Sequence, residues 1–180
     1  MRMHALAAAG LAATIGAAAS ADIVLSLDNF TASGFEFFQA FASGDLVGTL
    51  TGVTIDAILV APGLNFTWAS DLAVLISTDT LDPPYYAQIG GFSVIPGVLE
   101  YTDGLNGFSG AAGTVVSYSY DLLSPLEMSD KAVWLGNGYS FGGDGVWSGT
   151  VTLHGVSQIP APGAFALLGL AGLVARRRRD

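Results

Sequence analysis

Between residues 22 and 159 apolar and polar side chains alternate in short runs, with Gly, Pro, Asn and Asp between the runs. Two runs are cleanest. Val116, Tyr118 and Tyr120 share one parity and Ser117, Ser119 and Asp121 the other. Later, Trp147, Val151 and Leu153 oppose Ser148, Thr150, Thr152 and His154. A period of two places successive side chains on opposite faces of a strand. The pattern predicts strands over 23–27, 36–41, 47–60, 72–77, 87–95, 114–122, 131–135 and 147–156. Turns are expected at Ala61-Pro62-Gly63, Asp82-Pro83-Pro84, Asp103-Gly104, Asn106-Gly107 and Asn137-Gly138. The run 47–60 is too long for one regular strand and holds Gly48 and Gly52, so a bulge or break is expected there. One helical turn is expected at Ser124-Pro125-Leu126-Glu127, which has capping-box spacing with Pro at the first helical position. The fold class predicted is all-β: an antiparallel β-sandwich or jelly-roll-like body, flanked by an N-terminal signal helix and a short C-terminal apolar helix.

The ends follow another pattern. Residues 1–21 open with Arg2 and His4, continue through an Ala-rich apolar stretch, and close on Ala19-Ser20-Ala21. That order reads as a secretory signal peptide, with Ala19 and Ala21 as the small residues a signal peptidase accepts. At the other end Pro160-Ala161-Pro162-Gly163 precedes an apolar run to Ala175, then Arg176, Arg177, Arg178 and Arg179. The run 163–175 is thirteen residues. As a helix it rises about 20 Å, short of a ~30 Å hydrocarbon core, so it suits a temporary hold in the membrane. The arginines would fix the end on the cytoplasmic side. The domain organisation expected is signal peptide 1–21, β body 22–159 and sorting signal 160–180.

This tail resembles the PEP-CTERM sorting signal of exported bacterial proteins, in which a Pro-Glu-Pro-like motif precedes a short apolar helix and an arginine cluster. Ala161 stands where the family pattern has Glu. The resemblance covers about the last twenty residues. It implies an exosortase-type protease as partner, transient membrane anchoring, and a final place at the cell surface or in the extracellular matrix of a bacterium with an outer membrane. Within the body, Trp68-Ala69-Ser70-Asp71-Leu72-Ala73-Val74-Leu75-Ile76-Ser77 and the run from Gly145 to Leu153 resemble strands of the jelly-roll P-domains of secreted proteins.

Charge and composition narrow the chemistry. The chain carries a formal net charge of −9 and no Cys. Residues 22–159 hold fourteen acids against the single base Lys131. Nucleic acid is therefore not an expected partner, and neither disulfides nor thiolate zinc sites can form. The body's one histidine, His154, lies on the polar parity of its strand, where a solvated surface role is expected. No nucleophile elbow, phosphate loop or dinucleotide fingerprint is present, and no catalytic residue is assigned. The available metal ligands are oxygens, so calcium is the one cofactor considered, with Asp79, Asp82, Asp103 and Asp144 as candidates. These loop carboxylates are equally suited to Asx turns. A candidate ligand loop runs from Trp134 through Asn137, Tyr139 and Asp144 to Trp147, with aromatic faces and polar groups that could hold a polysaccharide. The competing account places Trp134 and Trp147 inside strands.

The sequence thus predicts a non-enzymatic exported surface or matrix protein. A carbohydrate-binding module of the matrix and a secreted hydrolase using two carboxylates are the alternatives.

Overall fold

The structure, a computed structural model, describes residues 22–63, 67–139 and 143–159. The expected signal helix and the sorting tail lie outside the described residues. Nine strands form two sheets: β1 (Ile23–Ala32), β2 (Phe37–Phe41), β3 (Leu46–Pro62), β4 (Leu72–Ser77), β5 (Ala87–Gly90), β6 (Glu100–Thr102), β7 (Val115–Glu127), β8 (Ala132–Asn137) and β9 (Gly145–Gln158). One sheet has the order β1-β9-β3-β7 and the other β2-β8-β4-β5-β6. All pairings are antiparallel except β5 with β6. The protein is therefore all-β and sandwich-like, and among the described residues the only helical element is one 3-10 turn, Ala69–Asp71.

The alternation read in the sequence forms the core. Val116, Tyr118 and Leu122 of β7, and Trp147, Val151 and Leu153 of β9, face inward from the first sheet. They meet Leu72, Val74, Ile76, Ile89, Val133 and Leu135 of the second. Their polar neighbours keep the first sheet's outer face wet. The second sheet has no such wet face along β4, every residue of which is buried. Its outward Leu75 stands opposite Gln88 on β5 and Trp134 on β8. The Gln88 amide is fully buried; it donates to the carbonyls of Gly90 (3.1 Å) and Ser93 (2.9 Å) and accepts from Ile95 N–H at 2.9 Å. These bonds hold the chain after β5 across the outer face of the sheet. They satisfy an amide that would otherwise cost about 1–3 kcal/mol to bury.

The chain departs from three local expectations. β3 runs unbroken through 17 residues, but its register slips between Gly48 and Gly52 against β9 and between Leu50 and Gly52 against β7. The bulge is there and the break is not. The helical turn expected at Ser124–Glu127 is not formed, because these residues end β7. The Glu127 carboxylate bonds Thr49 Oγ1 instead of returning to Ser124, and Glu100 accepts from Leu123 N–H at 2.7 Å. Pro125 is tolerated because β7 is an edge strand with irregular pairing there. The strand expected over 87–95 stops at Gly90, where Gly90 and Gly91 take φ of 85° and 83°, and the three-residue β6 was not foreseen.

Candidate functional site

Three chain segments converge at one end of the second sheet. The 3-10 turn precedes β4, residues 91–93 follow β5, and residues 137–139 end β8. Backbone bonds join them: Gly91 N–H donates to Ser70 O (2.9 Å), Gly138 N–H to Asp71 O (2.8 Å) and Ser93 N–H to Gly138 O (2.7 Å). The join requires two glycines. A Cβ on either Gly91 or Gly138 would lie 2.6 Å from the other's Cα. Trp147, fully buried beneath, donates from Nε1 to Ala69 O at 3.1 Å and fixes the turn from below.

This convergence forms a pocket of about 230 Å³ lined by Trp68, Asp71, Phe92 and Tyr139. The rings stand edge to face. Trp68 and Phe92 are 5.6 Å apart at 68°, and Phe92 and Tyr139 are 5.6 Å apart at 87°. Phe108 abuts the far side of Trp68 at 6.4 Å. Among the described residues the pocket has a single carboxylate, Asp71, which is 1% exposed. Its Oδ2 accepts from Trp68 N–H at 2.7 Å, whereas its Oδ1 has no hydrogen-bond partner among the described residues. Burial pushes the Asp71 carboxyl up to about 6, with the hydrogen bond from Trp68 N–H and the lesser influence of the Phe92 N–H dipole offsetting part of the effect. Ser70 Oγ and Tyr118 Oη are likewise buried without a partner among the described residues, but they do not line the pocket. Burial raises the Tyr101 phenol to about 12 and raises that of Tyr118 as well, and the nearby Asp103 charge adds to both shifts. Orphaned buried polar atoms are rare in native proteins, so an unpartnered carboxylate oxygen on a residue that lines a pocket marks a candidate site.

The ligand loop expected from sequence is dispersed. Trp147 is a core residue; Trp134 donates from Nε1 to Thr78 O at 3.0 Å on the other face of the second sheet. Asn137 is fully buried, donating to Gly143 O (3.2 Å) and accepting from Tyr139 N–H (2.9 Å). Asp144 accepts from Ser33 Oγ at 2.5 Å. Only Tyr139 reaches the pocket. Its companions Trp68, Asp71 and Phe92 were missed as site residues. A signal for Asp71 was present. It immediately precedes Leu72-Ala73-Val74-Leu75-Ile76, a continuous apolar run of the kind buried on both faces, so its carboxylate enters the interior with the strand.

The calcium candidates are also occupied or apart. Asp79 accepts from Ser43 N–H (2.7 Å), Ser43 Oγ (2.5 Å) and Gln39 Nε2 (2.8 Å), and these bonds hold its carboxyl below the usual range. Asp82 and Asp103 are exposed. Among the described residues no three acids or histidines group as a metal site.

His154 has more company than its surface parity suggested. Its Nδ1 lies 2.9 Å from Asp22 Oδ2 and its Nε2 lies 2.7 Å from Thr54 Oγ1, which in turn lies 2.8 Å from Ser119 Oγ. The order carboxylate–imidazole–hydroxyl is that of a nucleophilic triad. The surroundings differ. Thr54 and His154 lie within the paired register of β3 and β9 on the outward face of their sheet, where the ladder engages the backbone N–H groups that an oxyanion would need. Gly155 N–H donates to the same Asp22 carboxylate at 3.1 Å, and the group fastens the start of the body to β9.

No family model, curated protein or solved structure matches the chain.

Proposed function

We propose that this chain is an exported, non-catalytic bacterial surface or matrix protein, sorted by its C-terminal signal, whose body binds a small ligand in the Trp68–Asp71–Phe92–Tyr139 pocket. The observation that carries the binding role is the unpartnered Oδ1 of a carboxylate buried to 1% exposure in an aromatic-walled pocket. A purely structural acid would have both oxygens satisfied. Export and sorting rest on the sequence of the two ends, including Ala19, Ala21, Pro160–Gly163 and Arg176–Arg179. We further infer a jelly roll for the body. In its support, β1, β3, β7 and β9 lie in one sheet and β2, β4 and β8 in the other, with the β1–β9 pair answered by β2–β8. A saccharide ligand is the second reading; it is supported by the jelly roll inferred here, an architecture found in lectin domains. Fold alone does not assign a ligand.

The test of export is mass spectrometry of the protein recovered from its host. The expected mature chain begins at Ser20 or Asp22 and ends near Pro160–Gly163. Replacing Arg176–Arg179 with Ser should weaken retention and processing, and replacing Pro160 and Pro162 with Ala should impair the cut. A stably embedded chain ending at Asp180 would reduce the tail to an ordinary anchor.

A further inference from the structure

The shape and charge of the pocket narrow its ligand. A sugar ring stacks on a flat aromatic platform and needs several hydrogen-bonding side chains around it. Here the rings meet at 68° and 87°, so they form walls and no platform. The volume, about 230 Å³, is below the ~300–1,000 Å³ of drug-sized sites. Among the described residues, the ionisable groups lining it are Asp71 and the Tyr139 phenol. Lys131, the one Lys or Arg among the described residues, is engaged elsewhere, 2.6 Å from Asp130 and over the Tyr86 ring. Aromatic faces carry negative potential, and a cation lacking N–H groups gains from them without needing hydrogen-bond acceptors.

Resting on the reading of this pocket as a binding site, we propose that Trp68, Phe92, Tyr139 and Asp71 form a cage for a methylated quaternary ammonium group of the choline or betaine class. The rings contact the methyl groups and the Asp71 carboxylate supplies the countercharge. The bound cation would neutralise the carboxylate whose Oδ1 has no partner among the described residues. Its acidity follows: a bound cation favours the ionised acid, so binding near pH 6 releases a proton and affinity falls as Asp71 protonates. The Tyr139 phenol shares the lining with Asp71, and the Tyr101 phenol, which feels the charges of Asp103 and then Asp71, is held up to about 12 and stays neutral across that range.

The test is titration calorimetry of the full chain in a non-ionic detergent at pH 7.5. The probes are tetramethylammonium, choline, the neutral choline isostere 3,3-dimethylbutan-1-ol, a panel of simple saccharides, and phosphatidylcholine vesicles. Tetramethylammonium and choline should bind, and the neutral isostere should bind roughly tenfold more weakly or not at all. Asp71→Asn and Trp68→Ala should each lower affinity about tenfold, while Asp22→Asn leaves it unchanged. If Asp71→Asn fails to fold, Tyr139→Leu removes one wall without touching the acid and should weaken binding in the same way. Competition by the vesicles would assign the ammonium to a lipid headgroup, and lack of competition to a free ion; both agree with the cage. Equal binding of the neutral isostere, or no binding of either cation, overturns it. Saccharide binding that Asp71→Asn abolishes would overturn the cage yet keep the pocket as a ligand site. Silence from every probe would remove both readings.

Discussion

Asp22 and Asp71 are the same residue in opposite circumstances, and the contrast locates the site. Asp22 is half exposed and fully engaged: its two oxygens meet the His154 ring and the Gly155 N–H. The His154 hydrogen bond, followed by that of Gly155, holds its carboxyl below the ordinary range. Asp71 is buried and half engaged, and desolvation pushes its carboxyl up. At Asp22 the folded protein favours the charge; at Asp71 it disfavours the charge and leaves an oxygen unused. An acid of the first kind is a fastening. An acid of the second kind weakens the fold at neutral pH, and a cationic ligand removes that disadvantage.

The contrast breaks most completely if the dry floor beneath Asp71 is removed. Trp147→Ala deletes a fully buried ring and the bond from its Nε1 to Ala69 O. It should cost about 3–5 kcal/mol in urea unfolding. In any fraction that still folds, water admitted under the turn should bring the Asp71 carboxyl back toward the ordinary carboxylate range, as carboxylate NMR would report. A loss under about 1 kcal/mol would mean that Trp147 does not support the turn.

Asp71→Asn sharpens the contrast directly. Because the folded-state pKa of about 6 lies above the ordinary aspartate value of 3.8, ionisation opposes folding. Its stability contribution is intact below about pH 4 and is lost as pH rises through about 6. The shift corresponds to roughly 2–3 kcal/mol. Asparagine keeps an acceptor for Trp68 N–H and carries no charge. The variant should therefore be more stable than the parent at pH 7.5, by up to that amount, and equal to it near pH 4. Urea midpoints at the two pH values give the answer, and a variant less stable at pH 7.5 would identify Asp71 as structural.

The smallest effect is expected at Asp22. Its depressed carboxyl stabilises above the ordinary carboxylate pKa, and the contribution is lost as pH falls through the folded value, below 3.8. Asp22→Asn should change little at neutral pH, since exposed pairs are weak. It should flatten the acid limb of the stability curve below about pH 4. His154→Gln should remove the same limb if the imidazole is the principal partner.

Much of the fold was legible because strand alternation is local. The parity of Val116, Tyr118 and Tyr120 against Ser117, Ser119 and Asp121 fixes which face of β7 is buried without reference to any neighbour, and the same holds for β9. The bulge in β3 was legible from Gly48 and Gly52. The course of residues 87–95 was not. Alternation there reads as strand, but the positive φ at Gly90 and Gly91 and the Gln88 bonds to Ser93 and Ile95 turn the chain across the sheet. The capping-box spacing after Ser124 likewise yielded to an edge strand and to the bond between Glu127 and Thr49.

By itself the sequence determined the strand faces, the acidic and cysteine-free character of the body, and the order of charged, apolar and proline segments at the two ends. Each depends on residues adjacent in the chain. The tertiary structure alone decided which aromatics share a pocket. Trp68, Phe92 and Tyr139 come from three segments separated along the chain, and they meet because backbone bonds join Ser70 to Gly91, Asp71 to Gly138 and Gly138 to Ser93. Trp134 and Trp147 looked like partners of Tyr139 by proximity in sequence, yet the two-residue period of their strands sent one to the outer face and one to the core. The unused oxygen of Asp71 is likewise a product of three-dimensional burial, since a carboxylate's solvation depends on everything packed around it and on little that its chain neighbours reveal.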